Sequence, residues 1–497
     1  MSSSCHVSDQ GVKNSKPFSA IPGPSGRYSI PYLGQALHFQ PFGRHLPSTF
    51  TDYLRGLRHQ YGPVVRQRAG MQWMVFLFNP DDIQRVLFQY EKYPIRPTSH
   101  LMHAYSKRRN IPLSMAFQNK AKWVKARKPV QELILKPNAV PRYFSELMDI
   151  AEDFMVKRIE GSNQLGDTLQ ELTRLTMENS AMFCFNTRLD SFSHDHHELL
   201  SNILDVHDYL GQSFIRLPWY RLFPTRFYLE FEKAYDNVRH TAQQSLSEYL
   251  ERKSKQQKIS FQDFTFLEKL VSDPRMPRDS VESAITDMFI AGTDVTANTL
   301  SFVLYHLAKN PLVQDRLYDE IKQCCVHGEI TASTFANMPY LKACIKESLR
   351  LVPPLRDGIR RYVEKDTVVA GYDIPRGTTL VFCNSVISND KAYFPEPLAY
   401  KPERWLRSSP LRSNFHPFAI LPYGFGRRNC VGQRFADLQM HILIVKLLQK
   451  YSLRLPEADG ELPYTYTIFA TPSRKFAVLL DKRVKKKDER RCEAEGQ

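Results

Sequence analysis

From about residue 118 to residue 350, apolar residues recur mostly at helical spacing. Two stretches are clearest. One runs from about Asp279 to Lys309 and stops at Asn310-Pro311; the other runs from about Met338 to Leu351 and stops at Pro353-Pro354. Proline lacks the N–H and the backbone freedom that a continuing helix needs. A last helix is predicted over about Gly432 to Tyr451. Strand-like runs are short. VVRQRA and WMVFLF fall between residues 50 and 90, further strands fall between 361 and 385 around the turns Ala370-Gly371 and Pro375-Arg376-Gly377, and closing strands lie near 464 to 481. Pro22, Gly23, Pro24 and Gly26 form a turn-rich lead-in, and residues 395 to 423 form a Pro-rich loop. The sum predicts a mainly α protein with a minor β region (α+β). One large domain is expected over 21–481, between a flexible N-terminus or poor presequence at 1–20 and a charged tail at 482–497.

Charge changes this picture modestly. Lys and Arg outnumber Asp and Glu by 68 to 52, a net +16 that favours acidic partners. Part of the excess sits in the tail KRVKKKDERR, which reads as a solvated end. No zinc-finger spacing or aromatic RNA-binding strand accompanies it, so nucleic acid is not expected as a partner. The eight cysteines are sparse and irregular, which is no disulfide framework and points to a reducing compartment. No stretch of about 18 apolar residues occurs, so no spanning helix is predicted. The first sixteen residues are Ser-rich and nearly acid-free, but lack the Arg residues of a good mitochondrial presequence.

The chemistry concentrates in Tyr423-Gly-Phe-Gly-Arg-Arg-Asn-Cys430-Val-Gly432. Glycines here permit backbone shapes that side chains forbid, and let a flat ligand come close. Cys430 precedes a predicted helix N-terminus, where exposed N–H groups favour a thiolate. Taken alone, the turn fits a buried structural thiol, a nucleophile or a metal ligand; no His adjoins it in sequence to act as a base.

The turn is similar to the haem-binding signature of the cytochrome P-450 family, departing only in Tyr423 where the family has Phe. Glu347-Ser-Leu-Arg350 resembles the family's Glu-x-x-Arg, and Pro402-Glu403-Arg404-Trp405 its Pro-Glu-Arg segment, in order and at fitting distances. The resemblance implies haem b with Cys430 as sulfur ligand to the iron, and a structural network of Glu347, Arg350 and Arg404. A thiolate ligand donates electron density that promotes O–O cleavage. For the haem propionates it implies Trp123, Arg127, Arg360, His416 and Arg428, with Gly432 beside the sulfur. Arg361 adjoins Arg360 and is an alternative to it, and a loop-surface role is an alternative for His416.

Ala291-Gly-Thr-Asp-Val-Thr296 resembles the family's oxygen-activating helix motif, with one departure. The alcohol that normally follows the acid is replaced by Val295. Asp294, Thr296 and Thr293 are the expected catalytic residues, yet at about 100° per residue neither threonine points where residue 295 does. Gly292 is expected to loosen the helix.

Leu341-Lys-Ala-Cys-Ile-Lys346 looks like the mitochondrial-type clan, in which lysines at this spacing receive an acidic iron-sulfur ferredoxin served by an NADPH-dependent reductase. Lys342 and Lys346 lie one turn apart, and Arg427 and Arg434 extend the basic surface. The clan implies a mitochondrial, inner-membrane-associated enzyme acting on a lipophilic, sterol- or steroid-like substrate. Candidate pocket residues are Met115, Phe117, Ile290, Leu355 and Phe469. The segment Phe214 to Phe227 mixes aromatics with arginines and is read as a peripheral membrane contact. Three rivals remain at this stage: a xenobiotic-oxidising monooxygenase, a haem-thiolate isomerase or dehydratase that needs no dioxygen, and a non-enzymatic haem or lipid carrier.

Overall fold

The computed structural model describes residues 15–46, 49–89, 94–137, 139–194, 196–214, 216–255, 265–325, 328–355, 359–410, 415–456 and 460–483. The presequence reading at 1–14 and most of the charged tail, 484–497, lie outside the described residues. The protein is helix-rich with small sheets, and two compact units interleave along the chain.

The smaller unit comprises the described residues of Met1–Pro97, Asp357–Phe394 and Phe415–Arg428. Helix α1 (Phe50–Tyr61) is followed by β1 (Val64–Ala69) and β2 (Gln72–Leu77), which pair antiparallel with Val64 opposite Leu77. Strands β3 (Arg360–Tyr362) and β4 (Thr379–Phe382) complete a four-stranded sheet in the order β1-β2-β4-β3. β4 runs parallel to β2, and β3 antiparallel to β4. The predicted turn Ala370-Gly371 closes a separate two-stranded ribbon, with both residues at positive φ. Its core gathers Phe50, Leu54 and Leu57 from α1 with Val65, Phe76, Val381 and Cys383 from the sheet. Burying such side chains is worth about 1.5–3 kcal/mol each.

The larger unit comprises the described residues of Thr98–Arg356, Pro395–Asn414 and Asn429–Gln497. Its helices include α2 (Lys120–Ile134), α3 (Thr168–Phe185), α4 (His197–Ser213), α5 (Arg226–Lys255), α6 (Arg278–Lys309), α7 (Pro339–Leu351) and α8 (Gln433–Lys450). The three helices singled out in the sequence are thus present within a residue or so of their expected ends. α6 is central, packing on α3, α4, α5, α7 and α8. Gly292 does not interrupt it. A Cβ at that position would lie 2.7 Å from Ser180 Oγ of α3, so the glycine permits close helix packing. Strands β5 (Tyr464–Tyr466) and β6 (Ala470–Pro472) form a tight ribbon whose turn carries Phe469. The ribbon is held by Ala470 N–H donating to Pro354 O and by a bridge between Leu355 and Phe469. Among the described residues, no helix is long and apolar enough to cross a membrane.

Candidate active site

In the larger unit, α7 supplies a buried charge network. Arg350 donates to both carboxylate oxygens of Glu347, at 2.9 and 2.8 Å, across one helical turn. Both side chains are fully buried. Three more donors converge on that carboxylate: Arg404 Nε at 3.2 Å, Lys401 N–H at 3.1 Å and Trp405 Nε1 at 2.9 Å. Arg350 also donates to the carbonyls of Pro397 and Ala399, and Arg404 to that of Glu396. The network ties α7 to the loop 396–405. A buried charge held this completely rigidifies its surroundings.

The cysteine turn begins in the smaller unit. Gly424 and Gly426 take φ of 76° and 66°, which a Cβ resists. Between them Phe425 packs on Phe88 and Phe418, pinning the turn. Arg428 is buried and donates to Pro94 O, while Arg96 donates to Arg428 O. His416 accepts from Phe418 N–H at Nδ1 and lies 3.3 Å from Asp81 through Nε2, so both ring nitrogens are engaged at the surface of the loop. Arg360 is half-buried on β3. Its neighbour Arg361 is 2% exposed, and its Nε is buried with no partner among the described residues. Burial, with Arg96 nearby, pushes its pKa down to about 9. A buried guanidinium with a spare donor is a site for an anion.

The turn continues in the larger unit. Cys430 is exposed, unlike Cys184, Cys344 and Cys383, which are buried and whose thiol pKa values burial raises. The structural-thiol reading therefore suits those three and not Cys430. Arg127 of α2 is buried and donates to the backbone O of Asn429 at 2.7 Å, fixing the residue before the sulfur. Trp123 lies one turn earlier and is 4% exposed. Gly432 is the N-cap of α8, and Arg434 donates to Leu135 O just past the end of α2.

On α6, Asp294 is 5% exposed and held from two sides. Asn298 Nδ2 donates to its Oδ1 at 2.6 Å, and His207 Nδ1 of α4 lies 2.8 Å from its Oδ2. The second contact is an ion-pair distance off the line of a hydrogen bond. His207 meets the ring of Phe469 edge-on at 5.0 Å. Gly211, one turn further along α4, makes this approach possible: a Cβ there would sit 2.7 Å from the carbonyl carbon of Thr467. Thr293 is fully buried, with its hydroxyl donating to Phe289 O and its carbonyl accepting from Thr176 of α3. Thr296 is buried too. Val295 instead lines a small cavity with Asn298, Thr299, Phe302, Ser348 and Phe469.

Of the five candidate pocket residues, Phe469 lines that cavity and Leu355 bridges to Phe469. Ile290 is 5% exposed, and Phe117 is half-buried. Met115 is held through its N–H by Asp287 Oδ2 at 2.8 Å. Lys342 and Lys346 are both exposed on α7; Lys346 lies over the Trp405 ring at 4.2 Å, and Lys342 donates to Ala336 O. Arg427 is exposed, as is Arg434. Around Phe214–Phe227, Leu217, Trp219, Leu222 and Phe223 are exposed, while Tyr220 is buried; Ile215 lies outside the described residues.

Sequence reasoning missed His207, Asn298 and Thr299. Helical periodicity offers a signal for two of them, since Asn298 follows Asp294 by four and Thr299 follows Val295 by four. Nothing local links residue 207 to residue 294.

The sequence model of the cytochrome P450 family matches residues 24–480. The chain is 31% identical to a probable cytochrome P450 49a1 of Drosophila melanogaster, over 90% of this chain and 80% of that one. It is 30% identical to the mitochondrial sterol 26-hydroxylase of Homo sapiens, over 90% and 88%. It is 28% identical to the mitochondrial cytochrome P450 302a1 of Drosophila melanogaster, over 95% and 96%. The chain therefore belongs to the cytochrome P450 family, and with that family come haem bound through a cysteine thiolate and monooxygenase chemistry.

Proposed function

We propose that this monooxygenase hydroxylates a C–H bond of a sterol- or steroid-like substrate, in mitochondria, with electrons from an iron-sulfur ferredoxin. Cys430 is the proposed iron ligand, and the residues present suit haem chemically. Cys430 is exposed just after a glycine turn, and Arg361 is a buried guanidinium with a spare Nε donor. Haem supplies a site at which dioxygen is reduced and one of its atoms reaches carbon. The chain supplies the rest. Arg127 fixes the backbone before the sulfur, Arg361 and Arg428 offer charge to propionates, and Asp294 holds protons at its carboxylate.

The observation that carries the electron-donor reading is the pattern of α7. The helix is otherwise buried for most of its length, yet Lys342 and Lys346 are exposed one turn apart. Such a pair attracts an acidic surface at a rate that falls with salt. Support for the sterol reading comes from relatives that carry sterol 26-hydroxylase names. Exposed Leu217, Trp219, Leu222 and Phe223 support contact with a membrane surface.

The test titrates the haem-loaded protein with a reduced mitochondrial-type [2Fe-2S] ferredoxin and follows oxygen use with a sterol panel. Oxygen use should be ferredoxin-dependent, fall with added salt, and drop about tenfold or more in Lys342→Ala/Lys346→Ala. Equal rates in the double variant sink the docking assignment. A panel that turns over only non-steroidal compounds sinks the substrate class. Conversion of substrate without oxygen use would favour the isomerase reading.

A further inference from the structure

One buried acceptor on α6 has no use in the fold. Asn298 is 3% exposed, and its Nδ2 is spent on Asp294, at Oδ1 and at the backbone O. Its Oδ1 is buried with no partner among the described residues. An unpaired buried acceptor costs about 1–3 kcal/mol, so it calls for an occupant. Asn298 also lines the cavity beside Val295, which measures about 10 Å³, close to the room one water needs. A water there also needs several polar partners. Thr299 and Ser348 line the same cavity. The Thr299 hydroxyl spends its proton on Val295 O at 2.8 Å, and so has lone pairs to offer. Ser348 Oγ bonds His306 Nδ1 at 3.0 Å.

Helix geometry places this group between the acid and the missing alcohol. At about 100° per residue, Asn298 projects some 40° from Asp294 and about 60° from Val295, lying between them around the axis. Exposure falls along the series from His207 at 8% to Asp294 at 5% and Asn298 at 3%.

The geometry points to Asn298 as the positioning residue that replaces the absent alcohol at 295, by holding one water between Asp294 and the Val295 face. Asn298 is not itself titrated. Its amide N–H fixes the Asp294 carboxyl, and its Oδ1 accepts one hydrogen of the water. A proton passes from the Asp294 carboxyl to the water oxygen, and the carboxylate is reprotonated from the side on which His207 lies. The water releases a different proton toward the Val295 face, so one proton moves per pass and no electrons do. This rests on the oxygen-activating reading above, but on neither the sterol nor the ferredoxin.

The test therefore uses haem-loaded enzyme with a light-driven ruthenium complex as electron donor and no added substrate. Dioxygen with two electrons and two protons leaves as peroxide; with four of each it leaves as two waters. Asn298→Leu should raise the peroxide fraction several-fold. Adding Val295→Thr to it should restore the fraction to within about twofold, because an alcohol returns to the same face. A structural loss at Asn298 would not be rescued that way, so an unrescued double variant overturns the proposal, as does an unchanged single variant. Should Asn298→Leu not fold, Asn298→Ala takes its place. A crystal structure of the haem-loaded protein gives an independent reading: an ordered water bonded to Asn298 Oδ1 supports the assignment, and an empty or side-chain-filled cavity refutes it. If oxygen use fails only with ferredoxin or sterol, the function proposed earlier fails and this inference stands.

Discussion

Two buried carboxylates of the larger unit meet opposite treatments. Glu347 receives five donors from Arg350, Arg404, Lys401 and Trp405, and Arg350 spends further N–H groups on loop carbonyls. Asp294 receives one hydrogen bond from an amide and one ionic contact, and the amide that holds it keeps an unsatisfied oxygen. A fully satisfied charge has nothing left to exchange with a ligand or a proton, so its work is mechanical. An incompletely satisfied one retains capacity, and the Asn298 amide that holds it lines a cavity. The number of partners thus distinguishes the two acids more sharply than burial does, since both are buried.

The widest gap between the two should appear when the charge partner is removed. Arg350→Ala leaves Glu347 buried with less compensation, and removing one partner of such a pair costs about 3–5 kcal/mol. The expected outcome is a large fall in the urea midpoint, with haem retention falling in parallel. An unfolding midpoint within experimental scatter of the parent would dissolve the distinction. Asp294→Asn should behave the other way. Its shape is kept and its neighbours can still bond, so stability should change by no more than about 1 kcal/mol. In the role proposed for Asp294, turnover should fall about 100-fold, since a positioned proton donor contributes about 10²–10⁴.

A third acid on α6 lies between these cases and sharpens the rule. Asp287 accepts from Met115 N–H at 2.8 Å and from Tyr235 OH at 3.3 Å. Burial is the larger influence, and pushes its pKa up to about 6 from the ordinary 3.8. The folded state therefore holds this proton more tightly than the unfolded chain does. The contribution to stability is most favourable below about pH 4, and is lost as pH rises through about 6. Asp287→Asn keeps an acceptor for Met115 and removes that loss, so it should stabilise the protein by up to about 3 kcal/mol above pH 7. The gain should shrink as pH falls from 8 to 5. Urea midpoints at the two pH values check this, and a gain independent of pH would show that burial of charge is not the cause.

Much of the scaffold was legible in sequence, and the reason is locality. Glu347 and Arg350 share one helical turn, and proline stops mark the ends of α6 and α7. The Gly424 and Gly426 turn was legible because positive φ selects glycine. The residues expected around the acid were less well placed. Thr293 and Thr296 matched by position along the chain, yet the first spends its hydroxyl on its own helix and both are buried. Rotation about the helix axis, rather than distance in sequence, decides which groups meet the cavity. That rotation is the signal by which Asn298 and Thr299, missed in the sequence, were within reach. His207 was beyond reach, because its meeting with Asp294 depends on α4 closing onto the β5–β6 turn at Gly211.

The smallest expected effect concerns Thr299, and tests whether the cavity acts as a polar site or only as a gap. Its hydroxyl bonds back to Val295 O within the helix, a contact that adds little to a carbonyl already inside the helical ladder. Thr299→Val keeps the shape and should change stability by less than about 1 kcal/mol. It also removes one lone-pair donor from the wall that Asn298 and Ser348 share. If a water is held there, it keeps Asn298 Oδ1 but loses a partner, so the peroxide fraction should rise less than in Asn298→Leu and the two effects should not add. Full additivity would mean that the two side chains act separately, with no common water between them, because only groups sharing a partner couple in this way.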